Sequence, residues 1–292
     1  MKKKFDFTTL VGLIFGVVVV CMSIVWGKWD AMGANLKKFY DVPSIFICVA
    51  GPFAAILVAF EWSTIISVPS VLKNAFLCKE IPKTEIMKLF VRLSKKSRRE
   101  GLLSLENSMD EVKDRYMRTG LQMVVDGLND EMIRDVLGLE IDKTNERHKK
   151  CIQLFRMWAN LAPSLGMLGT FIGLVQMMST FNDIDKFGEA FATVVVTSFY
   201  GVVLANLFLG PLANKLDIKN QNEVNRMEMI LEGIVSLSKG LNPNFLEDNL
   251  KPFLSPDERL KYEVTHIEDL KDGGRAGGMK GRKERKRDKE IA

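Results

Sequence analysis

Three observations predict an all-α, polytopic membrane protein with a helical cytoplasmic domain. Apolar residues gather into four uninterrupted stretches, Lys and Arg gather between and after them, and the remainder carries helical periodicity. With 47% hydrophobic and 26% charged residues over 292 positions, an even spread would read as a soluble protein. The clustering decides otherwise.

The first span runs from about Thr8 to Trp26 around VGLIFGVVVVCMSIVW, the second from about Val42 to Phe60, the third from about Met157 to Phe181 and the fourth from about Ala190 to Ala213. Each approaches the roughly 20 helical residues that cross a hydrocarbon core of about 30 Å. A basic MKKK start precedes the first, as in a signal peptide, but no A-x-A-like site follows and the apolar run is too long for one. Lys2, Lys3 and Lys4, then Lys95, Lys96, Arg98 and Arg99, then the basic tail place both termini and the long middle segment in the cytoplasm. Two short hairpins, GKWDAMGANLKKFYD and NDIDKFG, fall outside. Cys21 and Cys48 lie in spans and Cys78 and Cys151 on the reducing side, so no disulfide is expected. No C-x-x-C spacing occurs and the histidines are His148 and His266, which leaves no metal or cofactor site.

Between the second and third spans, KTEIMKLFVRLSKKSRREG sets Ile86, Leu89, Phe90 and Leu93 at helical spacing, and Gly101 ends the helix. LLSLENSMDEVKDRYMRTGLQMVVDGL reads as a second helix, and a third starts near Asn129 and runs into the third span. KLDIKNQNEVNRMEMILEGIVSLSKG extends the fourth span, so spans two, three and four read as parts of longer rods. The expected divisions are 1–61 for the first two spans, 62–150 for the cytoplasmic loop, 151–213 for spans three and four, 214–268 for a helical extension and 269–292 for a disordered basic tail. That tail suits lipid head groups or plain solvation rather than nucleic acid, and its glycines lack the G-K-[ST] of a phosphate loop.

None of the four spans contains Asp, Glu, Lys, Arg or His; Glu61, Arg156 and Glu189 sit at or just beyond their ends. An ion carrier ordinarily holds an ionisable relay inside the membrane, and these spans supply none. They do supply hydroxyls and small residues. Pro163, Gly166, Thr170 and Gly173 share one face of the third helix, with Gly169 in the same run. Thr193, Thr197 and Gly201 repeat every four residues on the fourth, with Ser198 beside them. Such faces either let helices pack closely or line a wet path, and spacing leaves both readings open. Trp26 and Trp158 read as interface anchors, and Tyr200 as an anchor or a lining residue. An enzyme is excluded because no His, Asp or Lys stands in the spans to activate their hydroxyls.

APSLGMLGTFIGLVQMM followed by TVVVTSFYGVVLANLFLGPLANKL resembles the third and fourth membrane helices of the MotA/PomA family, the ion-conducting subunits of the bacterial flagellar stator. Arg98 to Glu106, RREGLLSLE, is similar to that family's R-x-x-G-x-x-x-L-E stretch, and the four-span layout agrees. The resemblance implies an inner-membrane ring of five copies around a MotB/PomB-type partner whose single membrane helix carries the ion-binding Asp. It implies passage of protons or Na⁺ that turns the ring against the flagellar rotor's FliG-type switch protein. Residue by residue, it implies that Thr170, Thr197 and Ser198 line the ion path, and Thr193 and Tyr200, close by on the fourth helix, are expected to line it with them. Pro163 and Pro211, with Gly166, Gly169 and Gly173, would serve conformational coupling, and Arg98 and Glu106 rotor contact. Where sodium-driven members often have a second Thr after the fourth-helix threonine, this chain has Ser198, which keeps a hydroxyl and leaves the ion open. The alternative is a TolQ/ExbB-like energiser of an envelope transport system, similar in its last two spans. Those relatives have three spans, whereas two spans precede the loop here. A scaffold that conducts nothing is the third reading.

Overall fold

The computed structural model describes residues 4–5, 7–26, 39–78, 81–179 and 181–264. The described residues are almost wholly helical and fall into two compact units, one from 1–80 with 142–223 and the other from 81–141 with 224–292. The basic tail, His266, most of the first outer hairpin and the MKKK lysines except Lys4 lie outside the described residues.

In the first unit, α1 (Phe7–Val25) and α2 (Val42–Ala59) are apolar along their whole length. The third and fourth apolar stretches lie in α6 (Asp130–Ser179) and in a rod made of α7 (Ile184–Val203), a π-helical turn (Leu204–Leu209) and α8 (Gly210–Ser238). Among the described residues these are the four helices long and apolar enough to cross a membrane, with mean hydropathies of 2.6, 2.3, 1.5 and 1.9 over their most apolar windows. Val58 is 90% exposed and Val175 71%. Faces this apolar and this bare fit lipid as their solvent. α3 (Trp62–Phe76) follows α2 directly, and β1 (Lys4–Phe5) pairs antiparallel with β2 (Leu77–Cys78), Lys4 opposite Cys78. Val68, Val71 and Leu72 of α3 pack on a small core of Ile152, Phe155, Leu209, Ala213 and Leu216. The second span is therefore not part of a continuous rod. Phe60 turns extended (φ −121°, ψ 147°) and the chain starts a new helix.

The second unit holds α4 (Lys83–Glu100), a 3₁₀ segment (Leu102–Glu111), α5 (Arg115–Val125), the start of α6, the end of α8 and α9 (Pro243–Leu250). Its core joins Phe90, Leu93, Leu105, Met117, Leu121, Ile133, Leu137, Ile230, Ile234 and Leu246, none more than 2% exposed. Ile86, Phe90 and Leu93 bury as the periodicity predicts, with Leu89 packed at the edge.

The single helix expected over 102–128 is instead two elements. Ser104, Asn107, Ser108 and Asp110 are weak helix formers that compete for backbone hydrogen bonds, and the Ser104 hydroxyl donates back to the Gly101 carbonyl at 2.6 Å. Asp114 then restarts the chain as an N-cap, its carboxylate accepting the Met117 N–H at 3.2 Å. The rod expected from Asn129 through the third span is present as α6, 50 residues without a break.

Candidate functional site

The site begins with a seam between α6 and α7. A methyl group added at Gly201 would stand 2.7 Å from the Ala162 carbonyl oxygen and 3.0 Å from the Pro163 Cα, so backbone meets backbone there. At Gly166 it would stand 3.1 Å from the Thr197 carbonyl oxygen; at Gly169 and Gly173 it would meet the Thr197 Cγ2 at 2.3 Å and the Val194 Cγ2 at 2.6 Å. Pro163 and its glycine face thus lie against the Thr193–Thr197–Gly201 face. Apolar side chains gain little by leaving lipid for one another, so close approach of small residues is what holds membrane helices together.

Thr197 sits in this seam with no solvent exposure. Its Oγ1 lies 2.6 Å from the Thr193 carbonyl oxygen and 2.5 Å from the Ser44 Oγ of α2, itself fully buried, so its one proton has two acceptors within reach. The Ser44 hydroxyl donates in turn to the Asp41 carboxylate, which also accepts the Ser44 backbone N–H at 3.0 Å as the N-cap of α2. The Cys48 thiol donates to the Thr197 carbonyl at 3.3 Å. Side-chain hydrogen bonds at one threonine therefore stitch α2 to α7, and α6 packs on the same threonine through Gly166 and Gly169.

Of the residues expected to line the path, Thr193 and Thr197 share this knot, Thr193 being half-buried with its own hydroxyl 3.4 Å from the Glu189 carbonyl. Thr170 is half-buried and bonds its own helix at Met167, 2.6 Å, rather than joining the knot. Ser198 and Tyr200 are half-buried, and the Tyr200 hydroxyl donates to the Phe39 carbonyl just before α2. Asp41, Ser44 and Cys48 were not among the sequence candidates. The signal was there: D-V-P-S opening an apolar run is an N-cap followed by an early proline.

The two prolines behave differently. α6 passes through Pro163 without a change of helix type, whereas Pro211 follows the π-helical turn at 204–209. Pro211 lacks an N–H for the carbonyl four residues back, and its ring would crowd that carbonyl in a regular α-helix. The wider turn relieves both, and the Gly210 N–H bonds to the Ala205 carbonyl, five residues back.

In the other unit, Gly101 takes φ 84°, a conformation that favours glycine, and folds the 3₁₀ segment back along α4. Arg92 then reaches Glu111 at 2.6 Å and Lys96 reaches the Ser108 hydroxyl at 2.8 Å. Leu105 is fully buried, which anchors the turn, while Arg98 and Glu106 are exposed on either side of it and take part in no ion pair among the described residues. The motif thus resolves into a glycine that turns, a leucine that anchors and two uncommitted charges.

Other polar clusters are committed. His148 Nδ1 lies 3.0 Å from the Asn220 Oδ1 and Asn220 donates to Asn145 at 2.7 Å, while Arg156 pairs with Asp217 at 2.6 Å. Among the described residues no group of three His, Cys, Asp or Glu side chains is placed to hold a metal ion.

Residues 108–229 match the MotA/TolQ/ExbB proton channel family. The chain is 37% identical over 254 residues to motility protein A of Borreliella burgdorferi, covering 87% of this chain and 95% of that protein. It is 31% identical to the chemotaxis protein PomA of Vibrio alginolyticus, covering 87% and 97% of the two chains. Its fold superposes on the flagellar MotAB stator complex from Bacillus subtilis with a TM-score of 0.81 at 32% identity, covering 88% of this chain and 99% of that one.

Proposed function

This chain belongs to the MotA/PomA family of stator subunits, within the MotA/TolQ/ExbB proton channel family, and from that premise we propose that it is the ring-forming, ion-conducting subunit of a flagellar stator. As a multi-pass inner-membrane protein it supplies the wall of the path. A MotB/PomB-type partner supplies the ion-binding Asp, and five copies of this chain surround the partner helices. Ion flow turns the ring, and the Arg98–Glu106 turn passes torque to a FliG-type rotor protein. The observation that carries this reading is a fully buried threonine hydroxyl, Thr197, in apolar spans that contain no charge of their own. The carboxylate at the knot, Asp41, stands just outside the span and is taken up as the N-cap of α2, so acceptors inside the spans make half of an ion path and the missing charge belongs on another chain.

Protons are the proposed ion, with Na⁺ as the alternative. In a strain driven only by this stator, swimming speed at fixed pH should not change with sodium concentration; a speed that climbs and saturates with sodium replaces protons by Na⁺. Thr170, Thr193, Thr197, Ser198 and Tyr200 are the lining residues, and Pro163 and Pro211 with Gly166, Gly169 and Gly173 set how the walls move. Replacing Thr197 by Ala should stop or alter ion-driven motility while the complex still assembles; unchanged torque would leave only a scaffold. Reversing Arg98 to Glu should impair swimming and be partly restored by an opposite reversal in the rotor protein.

A further inference from the structure

We infer that Ser44 is the positioning residue for the Thr197 hydroxyl, drawing its proton away from the Thr193 carbonyl and so leaving that carbonyl open beside the Thr197 oxygen for the passing ion. The inference rests on the reading that Thr197 lies on the ion path. Asp41 accepts the Ser44 hydroxyl proton, so Ser44 Oγ has only lone pairs to present to Thr197 Oγ1, 2.5 Å away. The proton in that contact is therefore the one on Thr197. The same proton is also within reach of the Thr193 carbonyl, where the two oxygens are 2.6 Å apart. One proton has two acceptors, and Ser44 is the one whose capture leaves the Thr193 carbonyl with an unengaged lone pair beside that of Thr197 Oγ1. Two adjacent oxygen acceptors suit a sodium ion or a proton-donating water alike. Without the Ser44 oxygen, the Thr197 proton turns to Thr193 and occupies one of them. Ser44 touches no ion itself; its burial and its bond to the helix cap fix where its oxygen stands.

The test is the ion dependence of rotation at low load in cells carrying the full stator, with sodium varied at fixed pH and pH varied at fixed sodium. Ser44→Ala keeps the backbone cap at Asp41 and should raise the half-saturating ion concentration about five-fold, the scale of one hydrogen bond. Membrane level and stall torque at saturating ion should stay as they are. Ser44→Thr, which restores the hydroxyl, should return the half-saturating concentration to within about two-fold of the parent. An unchanged ion dependence in Ser44→Ala at normal membrane level overturns the inference, as does a loss in Ser44→Thr equal to that in Ser44→Ala. If Ser44→Ala does not accumulate, Ser44→Cys decides: its thiol bonds weakly, so a raised half-saturating concentration supports the inference and an unchanged one overturns it. Thr197→Ala in the same assay separates the premise. Should it change neither torque nor ion dependence, the placement of Thr197 on the path falls; should it change either while Ser44→Ala leaves both unchanged, only the positioning role falls.

Discussion

Phe90 and Thr197 are both fully buried, and almost nothing else about their surroundings is alike. Phe90 stands in a core of Leu, Ile and Met side chains, and Gly233 makes room for its ring, 2.6 Å from where a methyl group would be. Thr197 is enclosed by Gly166, Gly169 and the hydroxyl of Ser44. In the cytoplasmic unit, burial removes apolar surface from water, about 2–3 kcal/mol for a side chain of that size. In the membrane unit lipid is as apolar as the side chains it would lose, so close packing and hydrogen bonds of about 1 kcal/mol carry the association. Large side chains close the core around Phe90, and small ones close the seam around Thr197.

The contrast breaks most readily at Phe90. Phe90→Ala should destabilise the cytoplasmic unit by about 3–5 kcal/mol, measured as an earlier onset of proteolysis within 81–141 during heating of the detergent-solubilised full chain. A cost below about 1 kcal/mol would mean that this core is not what holds the unit.

Next comes Gly201→Val against Gly12→Val. The first drives side-chain atoms into the α6 backbone at Ala162 and Pro163 and should cost about 1–3 kcal/mol together with motility. The second meets nothing within 4 Å and should be silent in both. Equal losses in thermal melting and swimming would erase the distinction between seam and lipid face.

The smallest effect is expected at Tyr116, whose hydroxyl donates to the Leu137 carbonyl at 3.2 Å inside the cytoplasmic core. Burial, with Glu140, Asp114 and Glu228 nearby, pushes its ionisation well up, and burial beside Glu247 pushes Tyr262 up to about 12. Both folded values lie above the unfolded value of about 10. The stabilisation linked to these shifts is therefore fully present at neutral pH and is lost as pH rises beyond about 10. Tyr116→Phe should cost about 1 kcal/mol at pH 7 and make alkaline unfolding shallower; an unaltered alkaline slope would place the titration elsewhere.

What the sequence made legible divides along the same line. The apolar runs marked the first two spans to within a few residues and picked out the two long helices that carry the third and fourth, and the periodicity of Ile86, Phe90 and Leu93 marked the cytoplasmic core face, because in water apolar pattern and burial coincide. Among the spans the same reasoning is silent, since Val58 and Ile56 read alike yet one is 90% exposed and the other 1%. There the small residues told more: the Gly166–Gly173 and Thr193–Gly201 faces do meet. Ser44 escaped notice because a lone hydroxyl in an apolar run has no period, and its meaning comes from a partner 153 positions away. The 3₁₀ segment escaped because Leu102 and Leu105 satisfy a helical pattern while Ser104, Asn107 and Ser108 weaken the helix itself.

The π-helical turn before Pro211 also acts on angle. Thr197, Gly201, Ala205, Leu209 and Ala213 recur every four residues and all are buried. In a helix of 3.6 residues per turn, each step of four overshoots a full circle by about 40°, so four such steps would carry the last member nearly to the opposite side. A turn closed over five residues advances less per residue and takes back part of that overshoot. The widened stretch at 204–209 thus works as a phase correction, letting one buried stripe run straight from the hydroxyl knot to the small core on Ile152 and Phe155.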